Sequence, residues 1–441
     1  MRKYFVIISM LATMTANAQK EWTLKECIDH AIEHNIAIKQ QELSQKQQEI
    51  QLNTAKSSRL PGVSGSMSQN FSFGRGLTSD NTYTNTNTSS TSFSLGTDVP
   101  IFTGFQIPNT IKLEKLNLKA ATADLEAAKN NIKVNVAQAY VEILYDMEIS
   151  AAAHRQVSID SMQVVRLTKL LENGKASEAE VSQQKSTLAQ SELSATQADN
   201  NLSMALLTLS QLLELPTANG FSIAKPNVGE VEDELMQTLI AVPEDICNTA
   251  ILSRPEIKAE EYRYEGTEYN IKIARSGYYP RLSLSAGMGS NYYRTSGFKA
   301  QSFSKQLDQN FSQYIGLSLS IPVFDRFSTR NQIRQAKLGR LNQQYQLENK
   351  KKTLYKEIQQ TYSNVVNAHK KYESSKTAEE SANDAFNLVK AKYENGKSNI
   401  TEFNEARNNW LSSISNLVRA RYEGLYACKL LEFYVKGELD F

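Results

Sequence analysis

From Val63 the chain alternates, with Val63, Gly65, Met67, Gln69, Phe71 and Phe73 on odd positions and Ser64, Ser66, Ser68, Asn70, Ser72 and Gly74 on even ones. The same period of two recurs at Phe93, Leu95, Thr97, Val99 and Ile101, at Leu282, Leu284, Ala286, Met288 and Tyr292, and at Ile315, Leu317, Leu319 and Ile321, in each case against Ser, Gly, Asn or Asp. Because successive side chains of a strand point to opposite faces, this pattern predicts four strands, at about 62–75, 91–101, 281–293 and 312–322. A strand of about 10 residues with one apolar face crosses a bilayer when tilted, although a soluble sandwich alternates equally well. The segments between them, Gly76 to Ser90 and Thr295 to Asn310, are polar and predict solvent-facing loops.

Elsewhere the period is helical. Apolar or small residues step by three and four through Ile132, Val136, Ala139, Ile143 and Met147, then Val157, Ser161, Val164 and Leu171, and again through Leu354, Ile358, Val365, Ala368, Tyr372, Ala382, Phe386, Val389 and Tyr393. The spacing predicts long helices over 105–172 and 327–394, each on the order of 100 Å at 1.5 Å per residue. A compact domain cannot contain such a rod. Glycine at the end of each long helix, in Asn173-Gly174-Lys175 and Asn395-Gly396-Lys397, suits a chain reversal into return helices over 176–215 and 398–434. An opening helix from about Ala31 to Ser58 follows Thr23 and Glu26, which have the spacing of a capping box, and Pro243 and Glu244 open a similar run.

These landmarks keep register: Pro61 and Pro280 are 219 apart, Pro100 and Pro322 are 222 apart, and so are the two Asn-Gly-Lys triplets. An internal duplication accounts for this, with a first repeat over 19–220 and a second over 221–441 that opens with a linker at 216–245. The fold class is α+β: two long antiparallel helical hairpins and four strands per chain. Four strands cannot close a barrel, and an open edge in lipid leaves backbone groups unsatisfied, so closure needs several chains. Two would give a barrel filled by side chains; three is the smallest number that begins to leave a lumen.

The first 18 residues have the parts of a secretory signal, with Arg2 and Lys3, an apolar run from Tyr4 to Met14, and Ala16-Asn17-Ala18 before a cleavage that would leave Gln19 first. Gln19 is not a cysteine, so a lipoprotein-type lipid anchor is not expected. No later stretch has the roughly 18 consecutive apolar residues of a membrane helix. Of 49 basic residues two lie in the signal, leaving 47 against 47 acids, with no basic footprint for nucleic acid. Three cysteines, Cys27, Cys247 and Cys428, leave at least one unpaired.

In order along the chain stand Trp22-Thr23-Leu24 with Ala31 and Asn35, Val99-Pro100-Ile101-Phe102-Thr103-Gly104, Arg254-Pro255-Glu256, Tyr279-Pro280, Ile321-Pro322-Val323-Phe324-Asp325 and the paired Asn-Gly-Lys turns. In this order and duplication the chain resembles the TolC family of outer-membrane efflux proteins over nearly its whole mature length. The resemblance implies a homotrimer with a 12-stranded barrel in the lipid of the outer membrane, continuing as a helical tunnel across the periplasm. It implies an equatorial belt from Leu215–Asp245 and the residues after about Phe433. It also implies a passive conduit of a tripartite efflux or type I secretion system, served by a periplasmic adaptor and, indirectly, an inner-membrane pump of the RND or ABC type.

The resemblance assigns site residues as well. Glu402 and Glu405 match two acidic positions that line the closed tunnel entrance, and threefold symmetry would make them a ring of six carboxylates attracting cations. Glu180 and Tyr393 match positions that hold neighbouring helices in the closed state, while Ser398 stands where relatives can carry an arginine. Asn173, Gly174, Lys175, Asn395, Gly396 and Lys397 are expected to dock the adaptor; as plain sequence they are helix-ending turns. Two glutamates on a polar helix would equally serve solubility.

One enzyme-like string, His30-Ala31-Ile32-Glu33-His34, fits a zinc-peptidase pattern, but the other histidines, His154 and His369, lie far along the rods. No metal site, phosphate loop, nucleophile elbow or cofactor is expected, and the chain reads as no enzyme. The alternative is a secreted or surface coiled-coil scaffold or adhesin without channel activity, which leaves the apolar strand faces unexplained.

Overall fold

A computed structural model of the chain describes residues 21–77, 81–218, 220–226, 243–437 and 439. The expected signal peptide and, within the expected linker, residues 219 and 227–242 lie outside the described residues. The chain forms two compact units, and neither is a sequence repeat. One comprises Met1–Gln40, Glu126–Arg254 and Lys352–Phe441, and the other Gln41–Leu125 and Pro255–Lys351. Both units therefore draw on both copies of the duplicated pattern.

The strands share the second unit. β2 (Gly62–Ser72), β5 (Thr88–Thr103), β7 (Arg281–Thr295) and β8 (Ser312–Ser320) form one antiparallel sheet in the order β2-β5-β7-β8. Pairing Leu95 with Met288 and Val99 with Leu284 joins the copies at the centre of the sheet. The register aligns the alternation: Val63, Gly65, Met67 and Phe71 share a face with Leu95, Leu284, Met288, Ile315, Leu317 and Leu319. Much of that face is exposed in the single chain, with Ile315 77% and Leu317 66% exposed, while α7 (Phe303–Gln309) covers the part around Phe93 and Tyr292. The other face is small and polar, and Ser66 meets Ser94 at 2.7 Å while Ser68 meets Ser92 at 2.6 Å. Gly287 is required there, because a Cβ would lie 2.8 Å from the ring of Tyr314 on β8.

The segments expected to be loops carry regular structure. β3 (Arg75–Leu77) and β4 (Tyr83–Asn85) pair as a short hairpin, and α7 (Phe303–Gln309) covers part of β7. Phe303 packs on Phe93 and Tyr292, at centroid distances of 6.3 and 5.3 Å, and Ser290 donates to Leu307 O at 2.6 Å. Polar composition hid these elements because their supports are cross-strand rather than local.

Where strand turns into long helix, the copies agree in backbone. Gly104 and Phe105 both have positive φ, as do Arg326 and Phe327, 222 positions later. A left-handed phenylalanine is held only by its surroundings. Phe105 stands edge-on to Phe102 at 5.1 Å, and Phe327 edge-on to Phe324 at 5.5 Å.

Among its described residues the first unit is helical apart from one short parallel pair, β1 (Glu21–Trp22) with β6 (Ser222–Ile223), beside which the Tyr140 hydroxyl lies 2.6 Å from Ala224 O. α1 (Leu24–His34) starts in the expected Thr23–Glu26 capping box, but the opening helix breaks before α2 (Ile36–Ser57). Asn35 takes extended ψ there, donates from Nδ2 to Leu212 O at 2.9 Å and accepts from Ala37 N at 2.9 Å. Two helices of 67 residues, α3 (Gln106–Glu172) and α8 (Ser328–Glu394), are each followed by a shorter one, α4 (Glu178–Leu212) and α9 (Ile400–Lys436). Their buried stripes include Ile132, Val136 and Ile143 on α3 and Leu354, Ile358, Val365 and Tyr372 on α8. α5 (Pro243–Ser253) also belongs to the first unit, whereas α6 (Pro255–Arg275), most of α2 and the first parts of α3 and α8 belong to the second. Among the described residues no helix is long and apolar enough to cross a membrane.

Candidate functional site

Both helical hairpins end in the same turn. Lys175 N donates to Leu170 O and Gly174 N to Leu171 O, both at 2.8 Å; Lys397 N donates to Lys392 O at 2.8 Å and Gly396 N to Tyr393 O at 3.1 Å. This is the Schellman-type closure that needs a left-handed residue, and Gly174 and Gly396 supply it with φ of 68° and 70°. The amides of Asn173 and Asn395 cap the carbonyls of Lys169 and Ala391 at 2.7 and 2.8 Å. All six tip residues are exposed, and a Cβ on either glycine would meet nothing within 4 Å.

The turns lead into capped return helices. Ser177 and Glu180 form a capping box at the start of α4, and Asn399 Oδ1 accepts from Glu402 N at 2.8 Å at the start of α9. Glu180 and Glu402 are 222 positions apart and both stand third in their helix, but only Glu180 accepts from the backbone N–H of its cap, while Glu402 bonds side chains. Hydrogen bonds from Ser177 hold the Glu180 carboxyl below the usual glutamate range. Glu402 also accepts from the hydroxyl of Ser398. Glu405 shares the exposed side of α9 with Glu402, whereas Phe403 and Arg407 point into the interior.

Tyr393 is half-buried. Its ring stacks on Phe403 at 5.0 Å, and the Arg166 guanidinium of α3 lies 5.4 Å from its centroid. Arg166 also donates to Glu394 O at 3.5 Å. Burial raises the Tyr393 hydroxyl pKa, with Arg166 opposing and Glu180 adding to the shift. Arg166, the α3 residue that meets the Tyr393 ring, is one that sequence reasoning missed. Glu180 spends its hydrogen bonds on its own helix start.

A second constellation was absent from the sequence reading. Asp160 on α3 is fully buried and receives Arg407 of α9, Ser191 of α4, Gln156 of α3 at 2.8 Å and Gln184 of α4 at 3.3 Å. The Arg407 side chain is 4% exposed, and burial lowers its pKa while Asp160 opposes the shift. Beside the pair lies a cleft of about 640 Å³ lined by hydroxyls and amides, among them Thr187, Gln190, Asn408 and Ser412, and by apolar side chains such as Ile149 and Leu411.

The zinc-peptidase string is occupied structurally. His30 and His34 stack at 4.1 Å, Trp22 meets His30 edge-on at 5.2 Å, and His34 Nδ1 donates to His30 O at 3.0 Å. Among the described residues no group of three or more His, Cys, Asp or Glu side chains gathers as a metal site. No disulfide joins the three cysteines, all of which are buried, and burial pushes the Cys27 thiol up to about 12.

Known proteins resemble the chain along both copies. A family profile described as outer membrane efflux protein matches residues 27–214 and again 246–432. The fusaric acid resistance protein FusA of Burkholderia cepacia is 25% identical over 65% of this chain, which spans 52% of the length of that relative. Outer membrane protein OprJ of Pseudomonas aeruginosa is 21% identical over 89% of this chain and 79% of its own. Among solved structures, the outer membrane protein VceC of Vibrio cholerae superposes with a TM-score of 0.74 at 18% identity, covering 95% of this chain and 97% of its own, so the fold is shared along the whole length. With both copies matched by the same profile, the chain belongs to the outer membrane efflux protein family.

Proposed function

We propose that three copies of this chain form a passive export channel in the outer membrane, a conduit with no reaction of its own. The observation that carries this reading is the four-stranded sheet, which among the described residues is open at both edges, β2 and β8, and apolar on one largely exposed face. In water that face and those edges would invite aggregation; in lipid the face is solvated and the edges must pair. Joining β8 of one chain to β2 of the next closes twelve strands with the apolar residues outward and the Ser/Gly face lining a lumen. The paired helical hairpins then continue the wall into the periplasm, with the Asn-Gly-Lys turns at its far end.

At that end Glu402 and Glu405 of the three chains ring the entrance and favour cations, with Tyr393 and its neighbours holding the closed arrangement. The exposed tips, Asn173–Lys175 and Asn395–Lys397, dock a periplasmic adaptor that links the channel to an inner-membrane pump of the RND or ABC type. Purified mature protein should require detergent for extraction from outer membranes and should conduct ions in planar bilayers. A water-soluble protein that never conducts would overturn the proposal.

A further inference from the structure

The strands join their helices at Gly62, Thr103, Arg281 and Ser320, so Ser72, Thr88, Thr295 and Ser312 mark the end of the sheet away from the helices. There β7 outruns β8: Gly289 pairs with Ser312, the first residue of β8, and Ser290 to Thr295 continue past it. α7 takes the place of β8 beside them. Gln306 Oε1 accepts from Tyr293 N at 2.9 Å, Asn310 Nδ2 donates to Asn291 O at 2.7 Å, and Ser290 donates to Leu307 O. Phe303 of α7 packs on Phe93 and Tyr292, which by alternation share a face with Leu95 and Met288, so α7 lies on the apolar side of the sheet. In the channel proposed above that side meets lipid, and this end of it meets the outer leaflet.

Two features say which lipid. Beside Phe311, where the chain returns from α7 to β8, a groove of about 500 Å³ is lined by Met67, Phe93, Leu95 and Met288. It opens on the exposed apolar face and has room for part of an acyl chain. Beyond it, the segment from Asn291 to Phe311 carries Arg294, Lys299 and Lys305 against one acid, Asp308. All three cations are exposed, and none is held by an ion pair among the described residues. The rings of Phe298 and Phe303, each nearly half exposed, stand between them in the chain. Cations interleaved with aromatic rings at the rim of an apolar groove suit a lipid whose headgroup carries net negative charge.

We propose that α7 and its flanks form a binding site for an anionic lipid of the outer leaflet, with an acyl chain in the groove at Met67, Leu95 and Met288 and the headgroup phosphate on Arg294, Lys299 and Lys305. The proposal rests on the channel reading. It asks nothing of the conduit or its cargo.

The test reconstitutes full-length trimers into vesicles of brominated phosphatidylglycerol, brominated phosphatidylcholine or mixtures of the two, and reads quenching of one added tryptophan. Phe311→Trp lines the groove, whereas Leu317→Trp lies on the same apolar face outside it. Wild type, whose Trp22 and Trp410 both belong to the first unit, supplies the background. At Phe311→Trp the anionic lipid should bind several-fold more tightly than the zwitterionic one, and at Leu317→Trp the two should bind alike. Adding Arg294→Gln, Lys299→Gln and Lys305→Gln should abolish the preference at Phe311→Trp while quenching persists. Every substituted position is exposed, so none of these changes opens a cavity. Equal binding at Phe311→Trp, no quenching there when Leu317→Trp is quenched, or a preference that survives the three neutral substitutions overturns the site. Absence of quenching at Leu317→Trp sinks the channel reading itself, and the site with it.

Discussion

Glu402 and Glu405 are three residues apart, yet the fold asks different things of them. Glu402 occupies the third position of α9, bonded to Asn399 and Ser398, as Glu180 does at the start of α4 with Ser177. Glu405 has no hydrogen bond or ion pair among the described residues and is exposed. Replacing Glu402 with alanine therefore removes part of a helix start as well as a charge, at a cost of some tenths of a kcal/mol up to about 1 kcal/mol for each chain. Glu405→Ala removes only the charge. In bilayer recordings both single variants should lose cation preference and be blocked less by multivalent cations, while only Glu402→Ala trimers melt lower. Unchanged selectivity in Glu405→Ala would place that carboxylate away from the conduction path.

At the scale of elements, strongly periodic segments were legible and long-range supports were not. The long helices begin and end within a residue of the positions the spacing predicts, because each ends in a local signal: the Gly104–Phe105 and Arg326–Phe327 elbows on one side and the glycine turns on the other. The break at Asn35 was not legible, since it depends on a carbonyl 177 positions away, at Leu212. The same limit hid α7, whose partners lie on β5 and β7, and Arg166, whose ring partner Tyr393 lies across the duplication. It also hid Asp160, which reads in the sequence as one more polar residue on a long helix. The tips were legible because glycine is required there by backbone conformation alone. At Gly174 and Gly396 a side chain would project into open space at a strain of about 1 kcal/mol. Replacing both with a bulky residue should therefore abolish export while trimers still form and insert, if the tips dock the adaptor. Wild-type export by the double variant, measured by cell survival against an exported toxin, would rule out docking there.

At the scale of the molecule, the duplication and the compact units cut the chain differently. Each copy contributes two strands to one sheet and a helical hairpin to the other unit, so neither copy can fold as a domain by itself. The sheet is where the single chain is incomplete. Its register gathers the apolar residues on one face, and among the described residues the outer backbone groups of β2 and β8 have no strand partner. The account of a conduit depends on those two edges meeting in a ring of three. The most direct measurement is oxidative cross-linking in intact outer membranes of chains carrying one cysteine on β2, at Ser64, Ser66 or Ser68, and one on β8, at Ser318; the three native cysteines are buried. Closure predicts that at least one combination yields a ladder of monomer, dimer and trimer on denaturing gels, with nothing larger. Monomer alone for every combination, or a ladder that continues past three, would contradict it.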